Sequence, residues 1–357
     1  MKILNDKLLS VTEEIYNQLV NKQFPKLAIP DRSKKNVFLD KKTNTFVLGD
    51  KKFIRSAGKL GTVKSFAQLT WLIHYVQKEL ISKKRTTTQR DVFYASMNIP
   101  DIAFKEQNES NKIIVDLEAL VGLTREQFNI YPGERAIIFG DIEYKYKEAR
   151  AWIKNPDKVY ALNEHPDGFV IGPELVNNTE ILSCNAKRII IVEKQALFRR
   201  FVEESAYKKF DAILVFTKGQ PPRDCRILVN RLVEQFKLKP YILADADPWG
   251  LAIALTIKYG SINLAHIKNL AVPNAEWIGL TPEDIITYKL PTVPFNEKDL
   301  KRLNNLMHDL RCKHNKFIYK QLKLWKKLQK KCELESFSKL GLNFIVDEYL
   351  KDKIKVT

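Results

Sequence analysis

Cysteine is scarce: Cys184, Cys225, Cys312 and Cys332 are scattered over 357 residues, with no Cys-x-x-Cys pair and no histidine at zinc-ligand spacing. That pattern argues against a disulfide scaffold or a structural zinc site and reads as reduced thiols in a cytosolic or nuclear compartment. The five histidines do not cluster, so each reads as a packing or surface residue. With 13 Gly and 15 Pro the chain is neither collagen-like nor of low complexity. No apolar run approaches the roughly 20 residues that a membrane-spanning helix needs, so a soluble protein without membrane association is expected. Asn5, Asp6 and Lys7 interrupt the stretch that a secretion signal would keep apolar. Phosphate loops are missing too. Gly58-Lys59-Leu60-Gly61-Thr62-Val63-Lys64-Ser65 has two residues between its glycines where a P-loop needs four, and Val63 stands where its second glycine would. There is no Gly-x-Gly-x-x-Gly and no His-Glu-x-x-His, so the chain is not expected to bind ATP by itself.

What the chain has is positive charge: 60 Lys and Arg against 42 Asp and Glu, a formal charge of +18. Such a surface attracts polyanions through counterion release without reading bases, although a lysine-rich soluble protein would show the same balance. The length suggests at least two domains. Residues 1–20 carry Leu8, Leu9, Val11, Ile15 and Leu19 near helical spacing, and an extended connector with Pro25 and Pro30 follows. Residues 36–39 and 45–48 read as short strands. Phe66, Leu69, Leu72, Ile73 and Val76 form a helical stripe. Threonines at 86–88 offer N-caps to a second helix, residues 111–121 read as a third, and residues 136–139 as a strand. Helices followed by a short hairpin fit a winged helix. From residue 188 the order becomes strand, helix, strand, helix, with apolar runs at 189–192, 211–217 and 241–244, which implies a parallel sheet. Residues 300–340 read as helical and basic.

Two constellations could carry chemistry. Glu193 closes one apolar run, and Asp245 and Asp247 close another. In an open parallel sheet, sites form beyond the carboxyl ends of the strands. Residues two apart in an extended stretch point the same way. Three convergent carboxylates without His or Cys make a hard oxygen site that suits Mg²⁺. Asp247-Pro248 fits a plain helix N-cap equally, with Asp245 a solvated loop acid. The second constellation is Arg90-Asp91-Val92-Phe93-Tyr94, where Arg90 and Tyr94 share a helical face if the segment is helical. A phenol, with an ordinary pKa of about 10, is a poor nucleophile near neutral pH. A guanidinium beside it favours the phenolate and can hold a phosphate bidentately. The basic run Lys313, Lys316, Lys320, Lys323, Lys326, Lys327, Lys330 and Lys331 reads as an amphipathic helix whose polar face touches phosphates or solvent.

In this order the pieces resemble the A subunits of DNA topoisomerase VI and their relatives, the meiotic double-strand-break transesterases. The resemblance spans nearly the whole chain. It is carried by Pro30-Asp31-Arg32-Ser33, Leu48-Gly49-Asp50, Arg90-Asp91-Val92-Phe93-Tyr94, Ile191-Val192-Glu193-Lys194, Gly219-Gln220-Pro221, Asp245-Ala246-Asp247-Pro248-Trp249-Gly250, Lys258-Tyr259-Gly260-Ser261 and Trp277-Ile278-Gly279-Leu280. It implies an α/β chain: residues 1–64 as an N-terminal helix and connector, with possible B-subunit docking; 65–155 as a CAP-like winged-helix domain; 156–357 as a Toprim domain with basic C-terminal helices. By the matching motifs Tyr94 is the nucleophile and Arg90 its cationic helper. Glu193, Asp245 and Asp247 hold Mg²⁺, with Glu193 alternatively shuttling the leaving-group proton. The resemblance further implies double-stranded DNA as substrate, a homodimer, and a GHKL ATPase B subunit completing an A2B2 heterotetramer. The product is a double-strand break with 5′-phosphotyrosyl ends. The location implied is the cytoplasm or nucleoid in a prokaryote and the nucleus in a eukaryote. A meiotic-type break-forming enzyme and a non-catalytic DNA-binding relative are the alternatives; the short N-terminus leans toward the topoisomerase. Two positions depart from the family pattern. Phe93 stands where another tyrosine is frequent, and Pro222 and Cys225-Arg226 stand where Asp and Thr-Arg are usual.

Overall fold

Apolar residues at helical spacing and apolar runs without alternation build two separate cores. The computed structural model describes residues 2–40, 42–131, 133, 136–150 and 153–354. The chain divides into two compact units, residues 1–133 with 261–268 and residues 134–260 with 269–357.

The first unit opens with the helix Lys2–Val20, which buries Leu4, Leu8 and Val11. Leu9, expected on the same stripe, falls off the spacing of 4, 8 and 11 and is exposed; Leu19 keeps that spacing but lies in the last turn of the helix and is exposed too. Lys26–Pro30 pairs antiparallel with Lys52–Ser56, and Val37–Asp40 with Thr45–Leu48. The stripe Phe66, Leu69, Leu72 and Ile73 is buried along the helix Leu60–Tyr75, which widens into a π-helical turn at Val76–Ile81. The helices Gln89–Ala95 and Gln107–Val121 complete this core around Val92, Ile114, Leu117 and Phe128.

The Pro-Asp-Arg-Ser segment belongs to this packing. Asp116, almost fully buried, accepts from Arg32 Nη2 at 2.5 Å and from Arg55 Nε at 2.9 Å, and Arg55 Nη2 also bonds it. Asp31 turns back on Ser33, accepting its N–H and hydroxyl at 2.8 Å each. Two guanidinium groups therefore depend on one buried carboxylate. Asp116→Ala is expected to cost about 3–5 kcal/mol of stability, as for other broken buried ion pairs. A urea-unfolding loss below about 1 kcal/mol would show instead that water satisfies both arginines.

In the second unit six strands run in the order Phe169–Val170, Ile137–Phe139, Ala212–Phe216, Arg188–Val192, Lys239–Leu243, Glu276–Gly279. The last four are parallel and the first two antiparallel. Arg188–Val192 and Ala212–Phe216 are buried at every residue, as strands covered on both faces must be. The strand read from residues 136–139 is present as Ile137–Phe139. It pairs with Phe169–Val170 on one side and with Ala212–Phe216, far along the chain, on the other, so it joins the larger sheet of the second unit. The chain moves from Arg188–Val192 to the neighbour on one side, then crosses to Lys239–Leu243 on the other. That reversal creates a switch point at the carboxyl ends of these strands.

The helices Gln195–Glu203, Arg223–Phe236 and Pro248–Tyr259 link the parallel strands. Further on, Glu297–His308 and Lys316–Leu328 form the basic region. Lys316–Leu328 buries Ile318, Leu322 and Trp325 and exposes Lys323, Lys326 and Lys327. It stops at Gln329, whose φ of 48° is left-handed, so Lys330–Lys331 leave the helix and pair with Val293–Pro294. Among the described residues no helix is long and apolar enough to cross a membrane.

Candidate functional site

The tyrosine lies on a short helix with a well-made start. Thr88 Oγ1 accepts the Asp91 N–H at 3.1 Å, and the Asp91 carboxylate accepts the Thr88 N–H at 3.0 Å, a reciprocal capping box. Those bonds from Thr88 hold the Asp91 carboxyl below its ordinary range. Val92 anchors the inner face of the helix. On the outside Tyr94 is 50% exposed, with Phe93 packed edge-on at 5.2 Å between ring centroids. The Arg90 guanidinium carbon sits 5.9 Å from the centre of the Tyr94 ring, so the spacing of four does put both groups on one face. A phenol presented this way can reach a large substrate.

The acids are in the second unit. Glu193 follows the central strand directly, its N–H bonded to the Leu243 carbonyl at 3.2 Å. The Asp245 N–H points at Glu193 Oε2, 3.4 Å away, which places the Glu193 carboxylate against the backbone of Asp245. Asp245 is fully engaged: Oδ1 accepts the Leu334 N–H at 2.9 Å and Oδ2 faces Lys194 Nζ at 3.0 Å. Asp247 Oδ1 accepts the N–H groups of Trp249 and Gly250 at 2.8 and 2.6 Å, capping the helix Pro248–Tyr259. The N-cap reading of Asp247 is therefore correct, and it leaves its second oxygen outside those two bonds. A segment far downstream closes one side. Ala246 and Cys332 exchange backbone bonds at 2.9 and 3.2 Å, and Lys331 bonds Asp299, which also accepts from the Trp249 indole at 3.2 Å.

Electrostatically this cluster is overloaded with negative charge. Burial, together with the charges of Asp245 and Asp247, pushes the Glu193 carboxyl up to about 7. Burial also raises Asp245, to about 6, against the pull of the Leu334 N–H and Lys194. Asp247 is raised as well, by burial first and also by Asp299, despite its two amide bonds. A buried, all-oxygen, under-neutralised donor set is one that a hard divalent cation fits. Yet among the described residues no three His, Cys, Asp or Glu side chains stand ready to hold a metal ion. Sequence reasoning missed Lys194, Asp299 and the Leu334 amide as partners of these acids. Only Lys194, next to Glu193, left a local signal.

The matches to known proteins follow the same division. Residues 188–354 match the family described as the Toprim domain of Spo11 and of the topoisomerase 6 A subunit, while residues 64–130 match the family described as Type IIB DNA topoisomerase. The A subunit of a type 2 DNA topoisomerase 6 from Methanothermobacter thermautotrophicus is 35% identical over 356 residues, covering 99% of this chain and 98% of that protein. The A subunits of the type 2 DNA topoisomerases 6 from Archaeoglobus fulgidus and Methanosarcina barkeri are 32% and 31% identical. They cover 97% and 99% of this chain, and each alignment spans 95% of the relative. The switch-point carboxylates thus lie in a Toprim domain, a kind of domain that binds divalent metal. With the half-exposed Tyr94 on the unit matched by the other family, the chain belongs to the type IIB DNA topoisomerases, among the type 2 DNA topoisomerase 6 A subunits that carry catalysis.

Proposed function

We propose that this chain, as a homodimer, cuts and rejoins both strands of DNA through Tyr94, with Mg²⁺ at Glu193, Asp245 and Asp247. A GHKL ATPase B subunit completes an A2B2 assembly and couples ATP to strand passage. Tyr94 Oη, its proton given up to water, forms a bond to a backbone phosphorus, and the bond from phosphorus to the 3′-oxygen breaks. The 5′-phosphate stays on the tyrosine, so bond energy is conserved and rejoining needs no nucleotide. Arg90 stabilises the phenolate and holds the phosphate. Glu193 would serve as an oxygen donor to the ion, or carries the proton that the leaving 3′-oxygen takes up. Bound Mg²⁺ would supply charge stabilisation at the phosphate or leaving oxygen. Residues 1–64 are assigned to B-subunit docking, 65–155 to presenting the tyrosine and 156–357 to the metal. The acids of one copy serve the tyrosine of the other.

The observation that carries this reading is the half-exposed Tyr94 beneath Arg90 on a capped helix, in a chain whose relatives are topoisomerase A subunits. The test is denaturant trapping of supercoiled plasmid with the chain, its B subunit, ATP and Mg²⁺. Linear DNA with protein on both 5′ ends is expected, and EDTA should prevent it. Breaks with unblocked 5′ ends would overturn the assignment.

A further inference from the structure

Lys194 is the cation that the acids already hold. Its Nζ lies 3.0 Å from Asp245 Oδ2, 3.6 Å from Glu333 Oε2 and 3.7 Å from Glu335 Oε2. Its backbone is extended at the N-cap of the helix Gln195–Glu203, and its side chain makes no capping bond there. Asp245 Oδ1 is committed to the Leu334 N–H. A metal approaching Asp245 Oδ2 therefore meets the Lys194 ammonium already beside that oxygen. The two other carboxylates within reach of the ammonium are carried by the segment at 332–335, which stays in place by itself. The Ala246–Cys332 backbone pair and the Leu334–Asp245 bond pin it beside the acids whether or not Lys194 is bound. The ammonium thus has a first seat on Asp245 and a second on Glu333 and Glu335, a short side-chain movement apart.

Resting on the metal reading above, we propose that Lys194 is a displaceable internal counter-ion: it neutralises Asp245 in the metal-free protein and moves to Glu333 and Glu335 when a divalent ion enters. Lys194 is in this sense a positioning residue. It keeps the buried acids folded together without metal, and it sets the concentration at which metal takes them over. An ammonium and a divalent ion repel each other at one carboxylate oxygen, so each occupancy weakens the other.

The experiment uses the full-length chain and Mn²⁺ as probe, with free Mn²⁺ counted by electron paramagnetic resonance and thermal melting followed in EDTA and in Mn²⁺. Lys194→Gln should bind Mn²⁺ at least fivefold more tightly than wild type. It should melt lower in EDTA and recover most of that loss when Mn²⁺ is added. Lys194→Arg keeps the charge and should stay within twofold of wild type. Glu333→Gln with Glu335→Gln removes the second seat and should weaken Mn²⁺ at least threefold. In the Lys194→Gln background the same pair of changes should have little effect, a coupling that distinguishes a seat for the ammonium from long-range attraction of the ion. Unchanged or weaker Mn²⁺ binding by Lys194→Gln overturns the proposal, as does an undiminished Glu333/Glu335 effect in that background. Should wild type bind no Mn²⁺ at all, the metal reading fails and this inference falls with it. Wild-type binding that Asp247→Asn abolishes but Lys194→Gln leaves alone sinks only the inference.

Discussion

Tyr94→Phe is expected to abolish covalent capture of DNA, by about 10⁴-fold or more, the order of loss seen when a nucleophile is removed. One oxygen separates the two side chains, and it is the atom assigned to attack phosphorus. The packing gives no reason for the variant to fail otherwise. The edge-on contact with Phe93 and the Arg90 guanidinium over the ring involve the ring itself, which phenylalanine retains. Because Tyr94 is half exposed, the stability change should stay within about 0.5 kcal/mol. Noncovalent DNA affinity, dominated by the basic surface, should hardly move. Arg90→Ala should act through the same centre but more weakly. It removes a charge that stabilises the phenolate and the phosphate, a loss of about 10²-fold for one electrostatic donor. Covalent complexes counted after detergent denaturation, beside filter binding of the same DNA, separate chemistry from binding. Persistent adducts in Tyr94→Phe would move the nucleophile to another of the 13 tyrosines.

The legible parts of this protein are those where local chemistry and tertiary role coincide. An apolar run that ends abruptly in an acid is a buried parallel strand reaching its carboxyl end. Hence Arg188–Val192 with Glu193, and Lys239–Leu243 with Asp245, could be read from the residues alone. Thr88 and Asp91 sit at the spacing of a capping box, so the helix of Tyr94 announces its own start. Asp247 was readable in two ways, and the structure shows Oδ1 capping the helix while the second oxygen stays outside those bonds. Pairings across long stretches of chain were not legible. Ile137–Phe139 looked like part of a hairpin because its local pattern is that of any short strand; its two partners, Phe169–Val170 and Ala212–Phe216, are set by the second unit's sheet. Residues 261–268 return to the first unit, where His266 lies 3.6 Å from the buried Glu118, and no periodicity in that segment signals it. The ion pairs of Lys194 with Glu333 and Glu335 join residues far apart in the chain. In the sequence those two acids look like ordinary charges in a basic region.

Gly250→Ala should separate folding from site geometry more sharply than any change to the acids themselves. In an ordinary helix position alanine would stabilise by about 1 kcal/mol through propensity. Here its Cβ would be driven into the Asp245 backbone carbonyl oxygen, with the Asp245 nitrogen and carbonyl carbon each 3.1 Å away. No flexible side chain can yield, because every one of these neighbours is backbone. The loop cannot retreat freely either: the Asp247 N–H bonds the Asp245 carbonyl at 2.9 Å, Ala244 bonds Gly279 at 2.9 Å, and Ala246 is paired with Cys332. The start of the helix must therefore move away from the loop, stretching the 2.6 Å bond from the Gly250 N–H to Asp247 Oδ1 and re-aiming that carboxylate. Overpacking of this kind costs about 1–3 kcal/mol, enough to outweigh the propensity gain. The expected result is a destabilised but folded protein whose Mn²⁺ affinity falls at least tenfold. Gly61→Ala supplies the internal control, since a Cβ there meets nothing within 4 Å on the helix Leu60–Tyr75; it should leave Mn²⁺ binding unchanged and stability equal or higher. Equal Mn²⁺ affinity in Gly250→Ala and wild type would mean that the carboxylates at 245 and 247 do not depend on this close approach of helix and loop, and that the site is held from elsewhere.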